Sequence, residues 1–321
     1  MNRIPVYLLT GFLGSGKTTV LKRMLQALKK QGKQPALIMN ELGSENVEKE
    51  QFEDESMIEL LNGCICCTIQ DDMRNELSKF LELNNRVDVL LIEGTGIANP
   101  AEIVEVLTHP DIIDQVTIES IIGMIDASRY LEYQSLFQSS KEIRTMLKQQ
   151  VTSSTLLVVN KTDAIDQKKL KKVTTKIEEI KMKNTPIVFA EYGDVPLDML
   201  FEKRFKTDTI HVQPGKQTEH HHHHHHYDHH SFQAIKLEGI EALDQDSFKK
   251  WLKSQGPELL RAKGYIVFQE DSQVFSFQYA SNQLELQPIE TNKGTCIILI
   301  GTRLNQDQIE QTFQEFVRQI V

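Results

Sequence analysis

Two clusters of residues have the types and spacing to do chemistry. The first is GFLGSGKT, Gly11 to Thr18, which fits G-x-x-x-x-G-K-[ST] without a mismatch. Glycines at 11, 14 and 16 open backbone conformations closed to other residues, so successive amides can point inward at phosphate oxygens. Lys17 supplies a mobile charge for the outer phosphates, and the Thr18 hydroxyl can ligate magnesium. The expected nucleotide contacts here are Gly14, Ser15, Gly16, Lys17, Thr18 and Thr19. The second cluster is NGCICC, Asn62 to Cys67, which concentrates three of the four cysteines at 64, 66 and 67. Thiolates so close together can supply three positions of a tetrahedral zinc site if the chain turns sharply, and Gly63 permits such a turn. The fourth ligand lies outside the motif: a carboxylate such as Glu41 or Glu45, water, or a receiving protein could supply it. A redox dithiol or inert buried cysteines are the competing readings, and the lack of a thioredoxin-like context around the cluster speaks against the first.

Further along, NKTD at Asn160 to Asp163 directly follows the apolar run Leu156 to Val159. A carboxylate at Asp163 can accept from both the ring N–H and the exocyclic amine of guanine. Asn160 can serve the other edge of the base, and the Lys161 stem can cover the ring. Adenine lacks those two donors, and leaving a buried carboxylate unpaired gives discrimination on the order of 10⁴. The expected nucleotide is GTP. Between these motifs VDVLLI, Val87 to Ile92, ends in Glu93 and GTG. An acid there can hold magnesium, usually through water, and Gly96 can offer an amide to the terminal phosphate. Lys17, Thr18 and Glu93 are therefore the expected catalytic residues. Asp126, ending MIDAS, is equally compatible with a ligand and with a structural cap.

These residues need a scaffold that brings them to one edge. Apolar runs at 6–10, 36–40, 87–92, 118–125, 155–159 and 186–189 alternate with segments of helical periodicity. Val20, Leu21, Met24, Leu25 and Leu28 mark one such helix, with Gly32 as terminator, and Met73, Leu77, Phe80 and Leu81 mark another beginning near Asp71. Asn99 as N-cap, Pro100 at the first helical position and Glu102 predict a further helix start. The fold class is α/β: a doubly wound, mostly parallel sheet with its ligand site beyond the carboxyl ends of the strands, followed by a smaller α+β domain.

The motifs stop near Lys206. His220, His221, His222, His223, His224, His225, His226, His229 and His230 then form a tract that suits a flexible, multidentate accessory metal buffer and cannot build a packed core. It marks a linker at 211–231 between a domain at 1–210 and one at 232–321. In the latter, Phe232 to Leu237, Tyr265 to Phe268, Val274 to Tyr279 and Thr295 to Ile300 read as strands. Helices are expected around Asp246 to Lys253, with Trp251 inward, and at Asp307 to Ile320, and Cys296 reads as a buried core thiol. This domain carries no catalytic constellation, which leaves target binding as its assignment.

At 321 residues, 40% hydrophobic and 25% charged, the chain has enough apolar material for two cores. Its net charge of −9 argues against a nucleic-acid partner. No apolar stretch approaches the ~20 residues that span a bilayer, and MNRIPVYLLTG resembles no secretory signal. The expected location is the cytoplasm, where a thiol cluster reads as metal-binding or redox-active.

The order and spacing of TGFLGSGKTT, NELG (Asn40 to Gly43), NGCICC, EGTGIANP (Glu93 to Pro100) and NKTD resemble the CobW family of GTPases, and LLRAKG (Leu259 to Gly264) resembles that family's C-terminal signature. The resemblance covers essentially the whole chain. It implies a GTP-dependent metallochaperone, related in fold to the urease and hydrogenase nickel-insertion GTPases. It also implies that Cys64, Cys66 and Cys67 carry the metal, and that Glu41 lies in the segment linking metal to nucleotide. Leu42 stands where Phe is usual and Asn99 where Asp is usual. Met39 and Ser44 stand where some members have metal-binding glutamates, which leaves the number of carboxylate ligands open. The expected ligands are GTP, magnesium and a transition metal, zinc first, with cobalt or nickel as alternatives. The expected partner is a client metalloprotein bound through the C-terminal domain, and a nucleotide-dependent homodimer stays open. Metal storage by the His tract, and GTP-dependent activation of cobalt insertion or cobalamin synthesis, are the rival functions.

Overall fold

The computed structural model describes residues 3–39, 56–59, 69–82, 87–96, 99–212 and 232–318. Glu41, Glu45, Gly63, the three clustered cysteines and the histidines from His220 to His230 lie outside them.

The chain divides into two compact units, one of Met1–Leu107 with Asp111–Phe205 and one of Thr108–Pro110 with Lys206–Val321. The first is built on β1 (Ile4–Gly11), β2 (Pro35–Met39), β3 (Ser56–Glu59), β4 (Val89–Glu93), β5 (Val116–Asp126), β6 (Leu156–Asn160) and β7 (Ile187–Phe189). They form a seven-stranded sheet in the order β3-β2-β4-β1-β5-β6-β7, every pairing parallel. The expected strands are all present, and β3 is an addition at the edge. Strands buried on both faces explain why the sequence reads as continuous apolar runs rather than as alternation. The period of two still governs which core each residue joins. Leu156 and Val158 pack on one side with Leu9, Met24 and Leu28, whereas Leu157 and Val159 pack on the other with Tyr130, Val151 and Ile177. Each such fully buried side chain contributes about 1.5–3 kcal/mol of transfer free energy.

Helix α1 (Lys17–Lys30) follows β1 through the glycine-rich turn and puts Val20, Leu21, Met24, Leu25 and Leu28 against the sheet. Its end is where the sequence placed it. Gly32 adopts a left-handed φ of 72°, its amide reaches the Lys29 carbonyl, and the Lys33 amide returns to Leu28. α2 (Ile69–Glu82) begins two residues after Cys67, slightly earlier than the expected Asp71, with Met73 and Leu77 buried. α3 (Pro100–Leu107) starts as its sequence dictates: the Asn99 side chain accepts from the Ala101 amide at 3.1 Å and its carbonyl from the Glu102 amide at 3.0 Å. Asparagine therefore performs the cap that an aspartate would. α4 (Tyr130–Gln134), α5 (Lys141–Thr152), α6 (Gln167–Glu178) and α7 (Leu197–Phe201) complete this unit. From β1 the chain crosses to β2 on one side, and from the neighbouring β5 to β6 on the other, so a crevice opens between the carboxyl ends of β1 and β5.

The second sheet runs β12-β11-β10-β13-β9-β8, from β8 (Phe205–His211), β9 (Phe232–Glu238), β10 (Leu259–Phe268), β11 (Asp271–Ala280), β12 (Gln283–Ile289) and β13 (Cys296–Gly301). Its registered pairings are antiparallel. α8 (Gln245–Ser254) and α9 (Gln306–Arg318) fall where helices were expected. Trp251 is buried among Phe248, Phe313 and Phe316. Cys296 is buried. The LLRAKG segment lies within β10, and its Gly264 has φ of 155°, with a Cβ there falling 1.9 Å from the Cys296 carbonyl oxygen. Only glycine lets these strands approach so closely.

Candidate functional site

The carboxyl ends of β1, β4, β5 and β6 gather the expected nucleotide residues. At the end of β1 the turn bends hard against its neighbours. A Cβ on Gly11 (φ 138°) would sit 2.2 Å from the Met124 carbonyl oxygen, and one on Gly16 (φ 101°) would sit 2.4 Å from the Asn160 amide nitrogen. Both glycines are therefore required by geometry. Lys17, 7% exposed, turns its Nζ back across the loop to the carbonyls of Gly11 at 3.0 Å and Phe12 at 3.4 Å. The ammonium is thus held over the loop rather than directed to solvent. The Ser15 hydroxyl is fully buried and has no partner among the described residues, a polar atom inside the glycine-rich loop with hydrogen-bonding capacity to spare.

Thr18 and Glu93 meet although they come from different elements. Thr18 Oγ1 donates to the Glu93 carboxylate at 3.2 and 3.3 Å. Glu93 is 9% exposed and ends β4 in register with Leu9 of β1. A hydroxyl beside a carboxylate is an all-oxygen donor set, which suits magnesium when phosphate and water supply the remaining positions. Among the described residues no group of three His, Cys, Asp or Glu side chains could hold a metal by itself. The Gly94 amide reaches the Leu9 carbonyl at 2.9 Å, which ties the start of the following loop to β1.

Asn160 ends β6 and is 2% exposed. Its Nδ2 donates to the Ser15 carbonyl at 3.0 Å, and its Oδ1 accepts from the Gly193 amide at 2.9 Å. The residue expected at the base edge thus also fastens the phosphate loop to a second loop. Lys161 has a left-handed φ of 63°, and its ammonium pairs with Asp126 at 2.7 Å. Asp126 further accepts from the Ser128 amide and hydroxyl, which gives it the structural, turn-closing part of its two possible roles. Burial raises its carboxyl, but the bonds from Lys161 and Ser128 together outweigh that and hold it below the ordinary 3.8. Asp163 lies exposed in a short 3-10 turn, Thr162–Ala164, whose Thr162 amide and hydroxyl both reach the Ala190 carbonyl.

The loop Ala190 to Asp194 was not singled out from sequence. Arg23 of α1 holds it by donating to the Gly193 carbonyl and pairing with Asp194 at 2.5 Å, and Gly193 sits against Thr19 and Val20. Its only sequence signal is a Tyr-Gly turn after a strand, too common to single out. Gln150 of α5, a single glutamine in an amphipathic helix, carries no motif that sequence reasoning could single out.

The order of these motifs along the parallel sheet is matched by a family model for the CobW/HypB/UreG nucleotide-binding domain over residues 5–188, and residues 232–317 match the cobalamin synthesis protein cobW C-terminal domain. The chain belongs to the CobW/HypB/UreG family. A protein named zinc chaperone CobW, from Sinorhizobium sp, is 31% identical over 291 residues, covering 82% of this chain and 81% of its own. The zinc chaperone YjiA of Escherichia coli (strain K12) is 26% identical with 98% of each chain covered. A crystal structure of Zn(II)-bound YjiA GTPase from the same species aligns over 98% of this chain and 99% of that one, at 22% identity and a TM-score of 0.47. The glycine-rich turn of the CobW/HypB/UreG domain here lies between β1 and α1, and Asn160 at the end of β6 is bonded to it. No helix among the described residues is long and apolar enough to cross a membrane.

Proposed function

We propose that this protein is a GTP-hydrolysing metallochaperone that binds zinc at Cys64, Cys66 and Cys67 and releases it to a client protein under nucleotide control. Two relatives that align over most of this chain carry the name zinc chaperone. The observation that carries the enzymatic half is the meeting of Thr18 with Glu93 beside the Lys17 ammonium at the end of β1. Hydrolysis forms a bond from a water oxygen to the terminal phosphorus and breaks the bond to the bridging oxygen, leaving GDP and phosphate. Lys17 stabilises charge on the phosphate oxygens as that bond breaks. Magnesium, held by Thr18 and Glu93, would neutralise phosphate charge. Gly14, Ser15, Gly16 and Thr19 line the phosphates, Gly96 senses the terminal one, and Asn160, Lys161 and Asp163 select guanine.

The metal half rests on the thiol motif, which precedes α2 and lies between the Lys17 and Glu93 segments in the chain. Zinc is cargo here. Glu41 is a fourth-ligand candidate, and the His tract is an accessory collector. A client metalloprotein and a nucleotide-dependent second copy are the proposed partners, and the cytoplasm the proposed location. Coupling requires that GTP bind the metal-holding and metal-releasing states with different affinities. The test is zinc affinity with and without a non-hydrolysable GTP analogue, in wild type and in a Cys66→Ser, Cys67→Ser double variant. Wild type should change affinity by ~5- to 150-fold, the range of ordinary allosteric coupling. The double variant should lose tight zinc yet keep GTP binding. Equal zinc affinities in wild type under both conditions would end the chaperone mechanism and favour storage by the His tract.

A further inference from the structure

Gln150 lies on α5, outside every nucleotide motif, and is 3% exposed. Its Nε2 donates to the Gly96 carbonyl at 3.2 Å across 54 residues. Gly96 in turn rests on the phosphate loop: a Cβ there would lie 2.6 Å from the Leu13 side chain and 2.7 Å from the Leu13 amide nitrogen. One side chain therefore grips the backbone at the point where the loop after β4 touches the loop after β1.

The other end of the same carboxamide behaves differently. Gln150 Oε1 is buried and has no hydrogen-bond partner among the described residues. The residue lines a small cavity together with Phe12 of the phosphate loop, Asp126, Tyr130 and Tyr133. A glutamine that serves only packing is ordinarily satisfied at both ends. Here, among the described residues, the one bond of the side chain is spent on the carbonyl of Gly96. α5 is anchored behind it, since the Ser154 hydroxyl closes on the Gln150 carbonyl at 2.6 Å just before β6 begins. The anchor is fixed and the grip is single, so the position of the Gly96 carbonyl follows Gln150.

We infer that Gln150 is a positioning residue for the hydrolysis of GTP: its bond to the Gly96 carbonyl holds Gly96 against the phosphate loop in the orientation that distinguishes a triphosphate from a diphosphate. This rests on the assignment of Gly96 to the terminal phosphate.

The experiment measures the affinities of a non-hydrolysable GTP analogue and of GDP, with kcat, in wild type, Gln150→Met, Gln150→Asn and Gly96→Ala. Methionine keeps the length and removes the donor. Asparagine keeps a polar amide for the cavity but is one methylene too short to reach Gly96, and it serves if the methionine variant does not fold. Either Gln150 variant should lower the analogue-to-GDP affinity ratio about tenfold, the equivalent of one buried hydrogen bond, and lower kcat, with GDP affinity unchanged. A structural role alone would weaken both nucleotides together, and that result, or an unchanged ratio, overturns the inference. If Gly96→Ala lowers the ratio while the Gln150 variants do not, the Gly96 assignment stands and the inference falls. If Gly96→Ala leaves the ratio unchanged, the assignment itself fails and the inference with it.

Discussion

The side-chain amide of Asn160 donates to the backbone carbonyl of Ser15 at 3.0 Å, joining residues 145 positions apart and tying the end of β6 to the phosphate loop. The same side chain accepts from the Gly193 amide, so one buried carboxamide fixes two loops. Asn160→Ala leaves a buried carbonyl and a buried amide without this partner, at a cost of about 1–3 kcal/mol. The expected result is a lower urea midpoint together with weaker binding of both GTP and GDP. Unchanged nucleotide affinity would show that the tie is dispensable for the site.

Lys17→Ala should lower kcat for GTP by on the order of 10²-fold or more, because charge that develops on the phosphates loses its nearest cation. Glu93→Gln should act differently. It keeps the shape and the contact with Thr18 but removes the negative charge, so the magnesium concentration needed for half-maximal turnover should rise. A magnesium titration of both variants separates the two roles, and an unaltered magnesium requirement in Glu93→Gln would remove that residue from the ion.

Asp126 gives a pH dependence whose sign follows from its environment. Its carboxyl is held below the ordinary value, with the Lys161 and Ser128 bonds exceeding the opposing effect of burial. A depressed folded-state value contributes stability that is present above the unfolded value of about 3.9 and is lost as pH falls through the folded one. The stability difference between wild type and Asp126→Asn should therefore hold steady above about pH 5 and shrink on acidification below about pH 4. Denaturant midpoints across that range check it; a difference independent of pH would mean that the carboxylate charge contributes nothing.

Gly264→Ala places a methyl where the Cys296 carbonyl already stands, on a backbone with φ of 155°. Backbone strain alone costs about 1–3 kcal/mol, and the strands must also part. The chain has one tryptophan, Trp251, packed in the second unit, so its fluorescence reports that unit by itself. Its unfolding midpoint should fall while GTP turnover at low denaturant is retained. A midpoint equal to wild type would show that the strands can relax without loss.

The alternation of apolar runs with helical periodicity was enough to set the first sheet, because strands buried on both faces must be apolar throughout and helices must bury one face. The glycine-rich turn, the cap at Asn99 and the stop at Gly32 were equally local, each depending on residues within a few positions. Strands without an apolar signature escaped. β12 alternates between exposed and half-buried positions and is held by backbone pairing to β11, and β3 is only four residues long. Main-chain hydrogen bonds need no particular side chains, so composition does not announce them.

For the site, the sequence by itself determined which residue types arrive at the strand ends: a lysine and a threonine after the glycines, an acid ending β4, and an asparagine ending β6. That followed from motif spacing, since each pattern places its functional group at or just beyond the end of a strand. Tertiary structure alone decided what those groups hold. The Thr18 hydroxyl meets Glu93, Lys161 is drawn to Asp126 rather than left in solvent, and Gln150 reaches Gly96. These partners lie 75, 35 and 54 residues apart, and it is the order β4-β1-β5-β6 across the sheet, not proximity in the chain, that sets them side by side.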